Sequence, residues 1–232
     1  MSGEARSAFL KQSLLSTVLL SVMMSIFYVS AGRTDIPRSY LFIVVTFIHF
    51  IGSNLALYRY DPELLIQRLK IRRKGSKTWD EILMRVSNLT ALLVMPIIAG
   101  LDIGRYHWSS LGIEYAVLGI VLAAVSSVML NWAMIVNPYF EPTVRIQKER
   151  EHHVIFTGPY AIVRHPGYLA GILWLAATPL ILGSLYAVAA FALYAILMSL
   201  RTFLEDNTLQ KELPGYKEYT ERVRYKLIPW IW

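Results

Sequence analysis

The 232-residue sequence contains no cysteine and few charged side chains. Without cysteine the chain can form no disulfide, no thiolate metal site and no cysteine nucleophile. Charged residues make up 17% of the chain, whereas soluble domains carry about 25%. Hydrophobic residues make up 55% and lie in long blocks, which indicates an integral membrane protein rather than a water-soluble domain. The sequence also lacks the glycine-rich nucleotide-binding loop of soluble Rossmann domains.

The formal net charge is +7, which in a soluble protein would suggest a nucleic-acid partner. Here the basic residues flank the apolar blocks instead of forming a separate cluster. Anionic headgroups of membrane lipids attract basic residues at that position. We therefore expect membrane lipids, and no nucleic acid, as partners of the basic residues.

Six segments are long and apolar enough to suggest membrane-spanning helices, which need about 20 residues. The sequence thus predicts an all-α polytopic membrane protein. The fifth segment is short and contains Pro179, and Gly183-Ser184 leaves room only for a tight turn before the sixth. The last two segments are therefore predicted to form a helical hairpin. The predicted spans are Leu14–Ala31, Tyr40–Leu57, Val86–Ile103, Ile113–Val136, Tyr168–Leu182 and Leu185–Leu204.

The first apolar segment admits a second interpretation, as a cleaved signal peptide. Arg6 and Lys11 precede it, and Val29-Ser30-Ala31 resembles a cleavage site. We favour a retained membrane span, because the apolar run is long for the core of a signal peptide.

Basic residues alternate between successive connections, as the positive-inside rule requires of six spans with both termini in the cytosol. The connections after spans two and four and the C-terminal tail are rich in Arg and Lys, whereas the others hold few. Segment Asp61–Leu83 in the first of these basic connections is predicted as an interfacial amphipathic helix broken near Gly75. A solvated basic loop is the alternative for this segment.

The polar residues after span four have the properties of a ligand-binding site at the cytosolic boundary. Segment Thr157–Tyr160 is a glycine–proline turn that exposes backbone groups. Pro166 suits the first turn of a helix, so His165 falls at the helix N terminus, which favours an anionic group. Arg201 and Glu205 are four residues apart and share a helix face. Polar residues that converge at a membrane boundary indicate a functional site.

Each of these residues also has a simpler interpretation when it is taken alone. Arg164 could be a flanking charge, and Arg201 with Glu205 could be only an intrahelical ion pair. His152-His153 could suggest a metal site, but no carboxylate accompanies them at ligand spacing, so we expect no metal. The aromatic residues of the tail could form an interfacial belt. None of these interpretations explains the order of the residues along the chain.

That order resembles the isoprenylcysteine carboxyl methyltransferase family and, more distantly, the membrane phospholipid methyltransferases. The resemblance rests on Gly158-Pro159-Tyr160, on Arg164–Tyr168, on Glu205-Asp206 and on the tail from Tyr216 to Val223. It covers about the last 90 residues, and the first 135 match only as membrane spans. Asp206 departs from the second glutamate that is frequent in the family, and Phe203-Leu204 replaces a more acidic run.

The resemblance implies S-adenosyl-L-methionine as the cofactor, in a pocket closed by the C-terminal tail. It implies that Glu205 contacts the cofactor and that Arg201 binds the acceptor substrate, both as catalytic residues. The acceptor would be lipophilic or lipidated, would enter from the bilayer, and would most simply present a carboxylate such as that of a prenylated cysteine. The implied cofactor-binding residues are Gln147, His152, His153, Val154, Ile155, Tyr160, His165, Pro166, Gly167, Tyr168 and Glu205.

Residues 1–137 are thus expected to form the N-terminal membrane spans, and residues 138–232 the cofactor-binding region with the hairpin. Three different functions stay open beside this one. A phospholipid or amine N-methyltransferase would need a general base. An NADPH-dependent sterol-type reductase shares a related C-terminal pattern, although Pro166-Gly167 stands where an asparagine would be expected. A non-catalytic lipid-binding subunit is the third. The sequence predicts no oligomeric state.

Overall fold

The computed structural model describes residues 3–70 and 75–232, which form an all-α bundle without strands in that part of the chain. Helices α3 and α8 have only seven residues each, and the other helices form the bundle. In chain order the helices are α1 (Gly3–Ala31), α2 (Pro37–Tyr60), α3 (Pro62–Arg68), α4 (Thr78–Tyr106), α5 (Ile113–Val136), α6 (Pro166–Leu182), α7 (Ala187–Glu212) and α8 (Tyr216–Arg222).

Five of these helices, α1, α2, α4, α5 and α7, are long and apolar enough to cross a membrane. The sixth, α6, is apolar but has only 17 residues. It ends at Gly183, whose φ of 91° is the left-handed conformation that glycine adopts most easily. The backbone N–H groups of Gly183 and Ser184 both donate to the carbonyl of Pro179, and α7 begins shortly afterwards, at Ala187. The predicted polytopic fold and its C-terminal hairpin are confirmed.

The third span differs most from its predicted bounds. Helix α4 begins at Thr78, not Val86, and includes two π-helical stretches, of which the second ends at Tyr106. The prediction of a separate interfacial helix through Leu83 is therefore wrong, because residues 78–83 are the first turns of α4. Among the described residues of this segment, Pro62–Arg68 form a separate short helix, and Gly75 is non-helical, as predicted. Acidic residues in the first turn of α4 stabilise this earlier start. Residues 71–74 of the predicted amphipathic segment lie outside the described residues.

Small residues allow α1 and α4 to approach closely. A Cβ atom at Gly100 would overlap the carbonyl oxygen of Phe27, and one at Gly104 would overlap Cβ of Ala31. Packing through small residues is how membrane helices gain contact without a hydrophobic driving force. Helix α6 packs along α5 and against α2 and α7, so the short helix lies inside the bundle.

The connections that are poor in basic residues meet at one end of the bundle. Arg38 there donates to the carbonyls of Leu111 (2.5 Å) and Ile181 (2.9 Å), and thereby caps the C terminus of α6. The fully buried Asp102 accepts a hydrogen bond from Ser184 Oγ at 2.5 Å. The described parts of the basic connections lie together at the other end, as the predicted alternation requires, since Lys77 contacts Val144 and Glu212, and Arg150 contacts Glu63. Which end faces the cytosol stays a prediction.

Candidate functional site

A cavity of about 270 Å³ opens at the basic end of the bundle, among α4, α6, α7 and the connection between α5 and α6. Its walls include every residue that the sequence proposed for cofactor or acceptor binding except Gln147. The sequence therefore located residues that the fold brings together from three separate segments. The predicted residues that line the cavity are His152, His153, Val154, Ile155, Tyr160, His165, Pro166, Gly167, Tyr168, Arg201 and Glu205.

Gln147 lies outside the cavity lining, in the folded connection behind it. Its side-chain amide donates to the carbonyl of Tyr139 (2.8 Å) and accepts from Arg150 (2.9 Å), and the residue is 1% exposed. Both polar atoms of the amide are thus occupied by the protein itself. The structure places Gln147 as a support of the connection rather than as a ligand of the cavity.

Two histidines on one wall of the cavity are oriented by Tyr139. The His152 ring packs 4.3 Å from the Tyr139 ring, and the Tyr139 hydroxyl is 2.8 Å from Nδ1 of His153. Burial, helped by nearby positive groups, lowers the pKa of His152 to about 4. His152 is therefore neutral near pH 7 and presents an uncharged aromatic surface to the cavity.

The predicted turn at residues 157–160 holds Tyr160 at the cavity wall. Gly158 has a φ of 58°, which suits glycine, and Tyr160 is 7% exposed. The Tyr160 hydroxyl accepts from the side-chain amide of Asn137 (2.9 Å), and burial raises its pKa above its usual range. Tyr219 fixes the backbone of the turn by donating to the Tyr160 carbonyl at 2.6 Å. The phenol therefore stays protonated and can donate a hydrogen bond to a ligand.

A buried ion pair between Arg164 and Asp206 holds the C-terminal segment over the cavity. Arg164 Nε and Nη2 donate to the two carboxylate oxygens of Asp206 at 2.7 and 3.0 Å. The remaining edge of the guanidinium donates to the carbonyls of Val223 (2.7 Å) and Arg224 (2.8 Å). His165 Nε2 lies 3.2 Å from the same carboxylate. In the sequence, Arg164 belongs to the motif that carries the family resemblance, but no ion-pair partner and no role in holding the C-terminal segment was predicted for it.

Consecutive acidic residues on α7 thus face different directions. Asp206 turns towards Arg164, whereas Glu205 faces the cavity and accepts a hydrogen bond from the Tyr168 hydroxyl. The guanidinium of Arg201, one turn earlier on α7, lies 4.7 Å from the centre of the Tyr168 ring. A cation over a tyrosine face at this distance is stabilised electrostatically. Tyr168 therefore contacts both polar residues of α7 that face the cavity.

The ion-pair partner of Arg201 is Asp80, not Glu205. Arg201 Nε donates to Asp80 Oδ1 at 2.6 Å, and Nη2 donates to the carbonyl of Pro142 at 2.8 Å. The side chains are 5% and 0% exposed, so the pair is shielded from water. Among the described residues Nη1 has no hydrogen-bond acceptor. The possible intrahelical pair of Arg201 with Glu205 is therefore wrong, and a carboxylate 121 positions away takes its place.

The end of the cavity that lies deepest in the bundle, its floor, is mainly apolar. The wall near the basic connections, its upper wall, is polar. Met84, Leu130 and Met198 line the floor, and Gly171 and Tyr194 complete it. A Cβ atom at Gly171 would lie 3.1 Å from the Tyr194 hydroxyl, so a side chain there would narrow the floor. A polar upper wall above an apolar floor suits an amphiphilic ligand.

Comparison with known proteins supports the resemblance that the motifs indicated. Residues 117–211 match the family model for the isoprenylcysteine carboxyl methyltransferase family. The match begins earlier than the motif-based estimate of the last 90 residues and includes most of α5. A curated relative, protein-S-isoprenylcysteine O-methyltransferase B of Arabidopsis thaliana, is 25% identical over 123 residues, which cover 51% of this chain and 59% of the relative. The family resemblance is thus confirmed, and this match ends before the tail from Tyr216 to Val223.

Probable protein-S-isoprenylcysteine O-methyltransferases of Oryza sativa subsp. indica and subsp. japonica are each 26% identical over 109 residues, covering 46% of this chain and 57% of theirs. The chain thus spans less than three fifths of the length of these curated relatives. A solved eukaryotic intramembrane Ras methyltransferase (isoprenylcysteine carboxyl methyltransferase) matches with a TM-score of 0.54 at 18% identity, covering 92% of this chain and 73% of that one. This structural similarity shows a common polytopic membrane fold.

Proposed function

We propose that the protein is an S-adenosylmethionine-dependent methyltransferase that methylates the carboxylate of a lipophilic acceptor, such as a prenylated cysteine. One observation carries the proposal. Arg201 and Glu205, one turn apart on α7, face a single cavity within the segment that matches the family. The Arg201 cation is then available to bind a carboxylate, and the Glu205 anion beside it is available to bind a cationic cofactor. The curated relatives from Arabidopsis and rice carry names of the same reaction class.

The residues of the cavity fit S-adenosylmethionine, which carries an amino group, a carboxylate, a sulfonium and an aromatic base. The Glu205 carboxylate suits the cationic amino group, and the N terminus of α6 at Pro166 suits the carboxylate. The neutral His152 ring and the apolar Val154 and Ile155 offer contacts for the adenosine. When bound, the cofactor supplies an electrophilic methyl group.

Arg201 is the residue that we assign to the acceptor. Its guanidinium faces the cavity and retains Nη1, which has no acceptor among the described residues, for a carboxylate. A carboxylate carries its own nucleophilic electron pair and needs no general base, whereas a protonated amine would need one. Glu205 already accepts from Tyr168, which favours the carboxylate. The Arg201 side chain is 5% exposed, and burial strengthens its electrostatic interaction with a carboxylate.

The apolar floor suits the hydrocarbon part of the acceptor, which would enter from the bilayer between the helices. The basic connections at the cavity end favour the cytosolic side for the active site. In this proposal residues 138–232 supply the cofactor site, and residues 1–137 form the membrane region that supports it.

Transfer of a labelled methyl group from S-adenosylmethionine tests the proposal. The purified protein in detergent micelles would receive N-acetyl-S-farnesylcysteine, its methyl ester, phosphatidylethanolamine or a lipophilic amine. We expect label on the free acid and none on the methyl ester, which differs only by the blocked carboxylate. Label on phosphatidylethanolamine or the amine instead would establish N-methylation.

Thermal stabilisation distinguishes the methyltransferase from a reductase and from a non-catalytic subunit. We expect S-adenosylmethionine and its demethylated product to raise the melting temperature, and NADPH to leave it unchanged. Stabilisation by NADPH alone would establish a reductase. No stabilisation and no transfer would leave a non-catalytic lipid-binding subunit.

A further inference from the structure

We propose that Asp80 is a positioning residue for Arg201, supplied by a helix outside the segment that matches the family. The inference rests on the proposed function, because Arg201 is there assigned to the acceptor. Asp80 lies in the first turn of α4, and the family match covers only residues 117–211. A residue of the N-terminal membrane region would thus determine how the acceptor site is arranged.

Both carboxylate oxygens of Asp80 have a defined partner. Oδ1 accepts from Arg201 Nε at 2.6 Å, and Oδ2 accepts from the backbone N–H of Val144 at 2.8 Å. The carbonyl of Val144 in turn accepts from the backbone N–H of Lys77 at 3.1 Å. Asp80 therefore joins α4, α7 and the connection that forms one wall of the cavity.

These contacts fix the orientation of the planar guanidinium group of Arg201. Asp80 binds the Nε edge of Arg201, and the carbonyl of Pro142 binds Nη2, so rotation of the guanidinium would break two hydrogen bonds. The plane then lies over Tyr168 and Nη1 is left for the acceptor. Because Asp80 and Arg201 are almost fully buried, water does not replace the lost partner if Asp80 changes.

Replacement of Asp80 by asparagine tests the role, with Asp102→Asn as a matched control. Asp102 is also fully buried, lies on the same helix α4, and accepts hydrogen bonds from Ser109 and Ser184 at the opposite end of the bundle. The measurements are the melting temperature, the dissociation constant of the demethylated cofactor product by calorimetry, and kcat and KM for N-acetyl-S-farnesylcysteine.

Both variants should melt at lower temperature, since each alters a buried carboxylate. Only Asp80→Asn should raise KM for the acceptor, by about tenfold or more, while the affinity for the cofactor product stays within about threefold of wild type. A KM for Asp80→Asn within about twofold of that for Asp102→Asn would overturn the inference. If Asp80→Asn does not fold, Asp80→Glu, which lengthens the side chain by one methylene, carries the same expectation.

A double variant shows whether Asp80 affects the KM for the acceptor through Arg201 or directly. In an Arg201→Lys background, Asp80→Asn should change KM by less than about twofold, because the geometry it protects is already lost. The full change of about tenfold in that background would contradict a positioning role. Wild-type protein that transfers label to none of the acceptors would refute the proposed function and this inference together. Transfer by wild type with no change in Asp80→Asn would refute this inference alone.

Discussion

Substitution of Asp206 by asparagine should destabilise the protein strongly, although it removes only one charge. The carboxylate accepts two hydrogen bonds from Arg164, and His165, Tyr216 and Gln210 also contact it. The amide of asparagine keeps the shape but points two N–H donors at these donors. Breaking a buried ion pair from one side costs about 3–5 kcal/mol. For a chain of this size that corresponds to a melting temperature lower by roughly 6–20 °C.

The neighbouring pair of Lys77 and Glu212 provides the control for this prediction. Glu212 lies on the same helix as Asp206, and its carboxylate is 2.6 Å from Lys77 Nζ, but the two side chains are 44% and 30% exposed. Exposed pairs contribute about 0–1 kcal/mol, so Glu212→Gln should change the melting temperature by no more than roughly 4 °C. Thermal unfolding in one detergent, followed by tryptophan fluorescence, compares the two variants directly.

Detachment of the C-terminal segment is the second part of the same prediction. Because Arg164 also binds the carbonyls of Val223 and Arg224, loss of Asp206 should free that segment and expose its lysines and arginines to trypsin. We expect faster cleavage within residues 217–226 in Asp206→Asn than in Glu212→Gln. Equal melting temperatures and equal cleavage rates for the two variants would refute the reasoning that this ion pair secures the cavity.

Four further results are expected. Reporter fusions after Gly183 and after Trp232 should lie on opposite sides of the membrane, and the same side for both would contradict the topology. Glu205→Gln should weaken binding of the cofactor product roughly 10–150-fold by calorimetry, as loss of a charged hydrogen bond does, and unchanged affinity would remove Glu205 from the site. Arg201→Lys should lower kcat/KM steeply with cofactor affinity near wild type, because an ammonium group cannot bind Asp80, the Pro142 carbonyl and an acceptor in the planar geometry of the guanidinium, whereas lower cofactor affinity with intact turnover would make Arg201 structural. The pKa of His152 is about 6.5 in the unfolded chain but about 4 in the folded protein, so the stability of the fold decreases as the pH falls from 6.5 to 4. His152→Asn should therefore reduce the decrease in melting temperature over this pH range. An identical decrease in the variant would contradict the argument that His152 is buried in its neutral form.

Local patterns in the sequence were enough to locate most of the fold, and the family resemblance that the motifs carry located most of the cavity residues. Apolar runs identified the spans, and Gly183 with Pro166 identified the ends of the short helix, because these signals depend only on neighbouring residues. The helices extend beyond the apolar runs, as at Thr78 and Glu212, since polar residues continue a helix outside the hydrocarbon. Hydropathy alone gives no signal for that extension.

The sequence could not predict contacts between residues that are far apart along the chain. Asp80 and Arg201 meet only because α4 and α7 pack together, and nothing in the spacing of either residue indicates the other. The ion pair of Arg164 was missed for a different reason, because an arginine at a membrane boundary is expected even when it has no specific partner. Gln147 has the side chain of a ligand but both its polar atoms are used inside the connection.

The short length of α6 has a consequence for the bilayer around the protein. Its 17 residues rise about 26 Å, whereas the hydrocarbon layer is about 30 Å thick. The helix ends at both Pro166 and Gly183 in fixed turns, so it cannot lengthen to make up the difference. His165 and the polar wall beside it therefore lie below the level of the headgroups, enclosed by the longer helices of the bundle. Under the proposed function, the short helix would thus place the carboxylate of an acceptor near the depth of the acyl chains, and bilayer thickness would be a physical variable of catalysis.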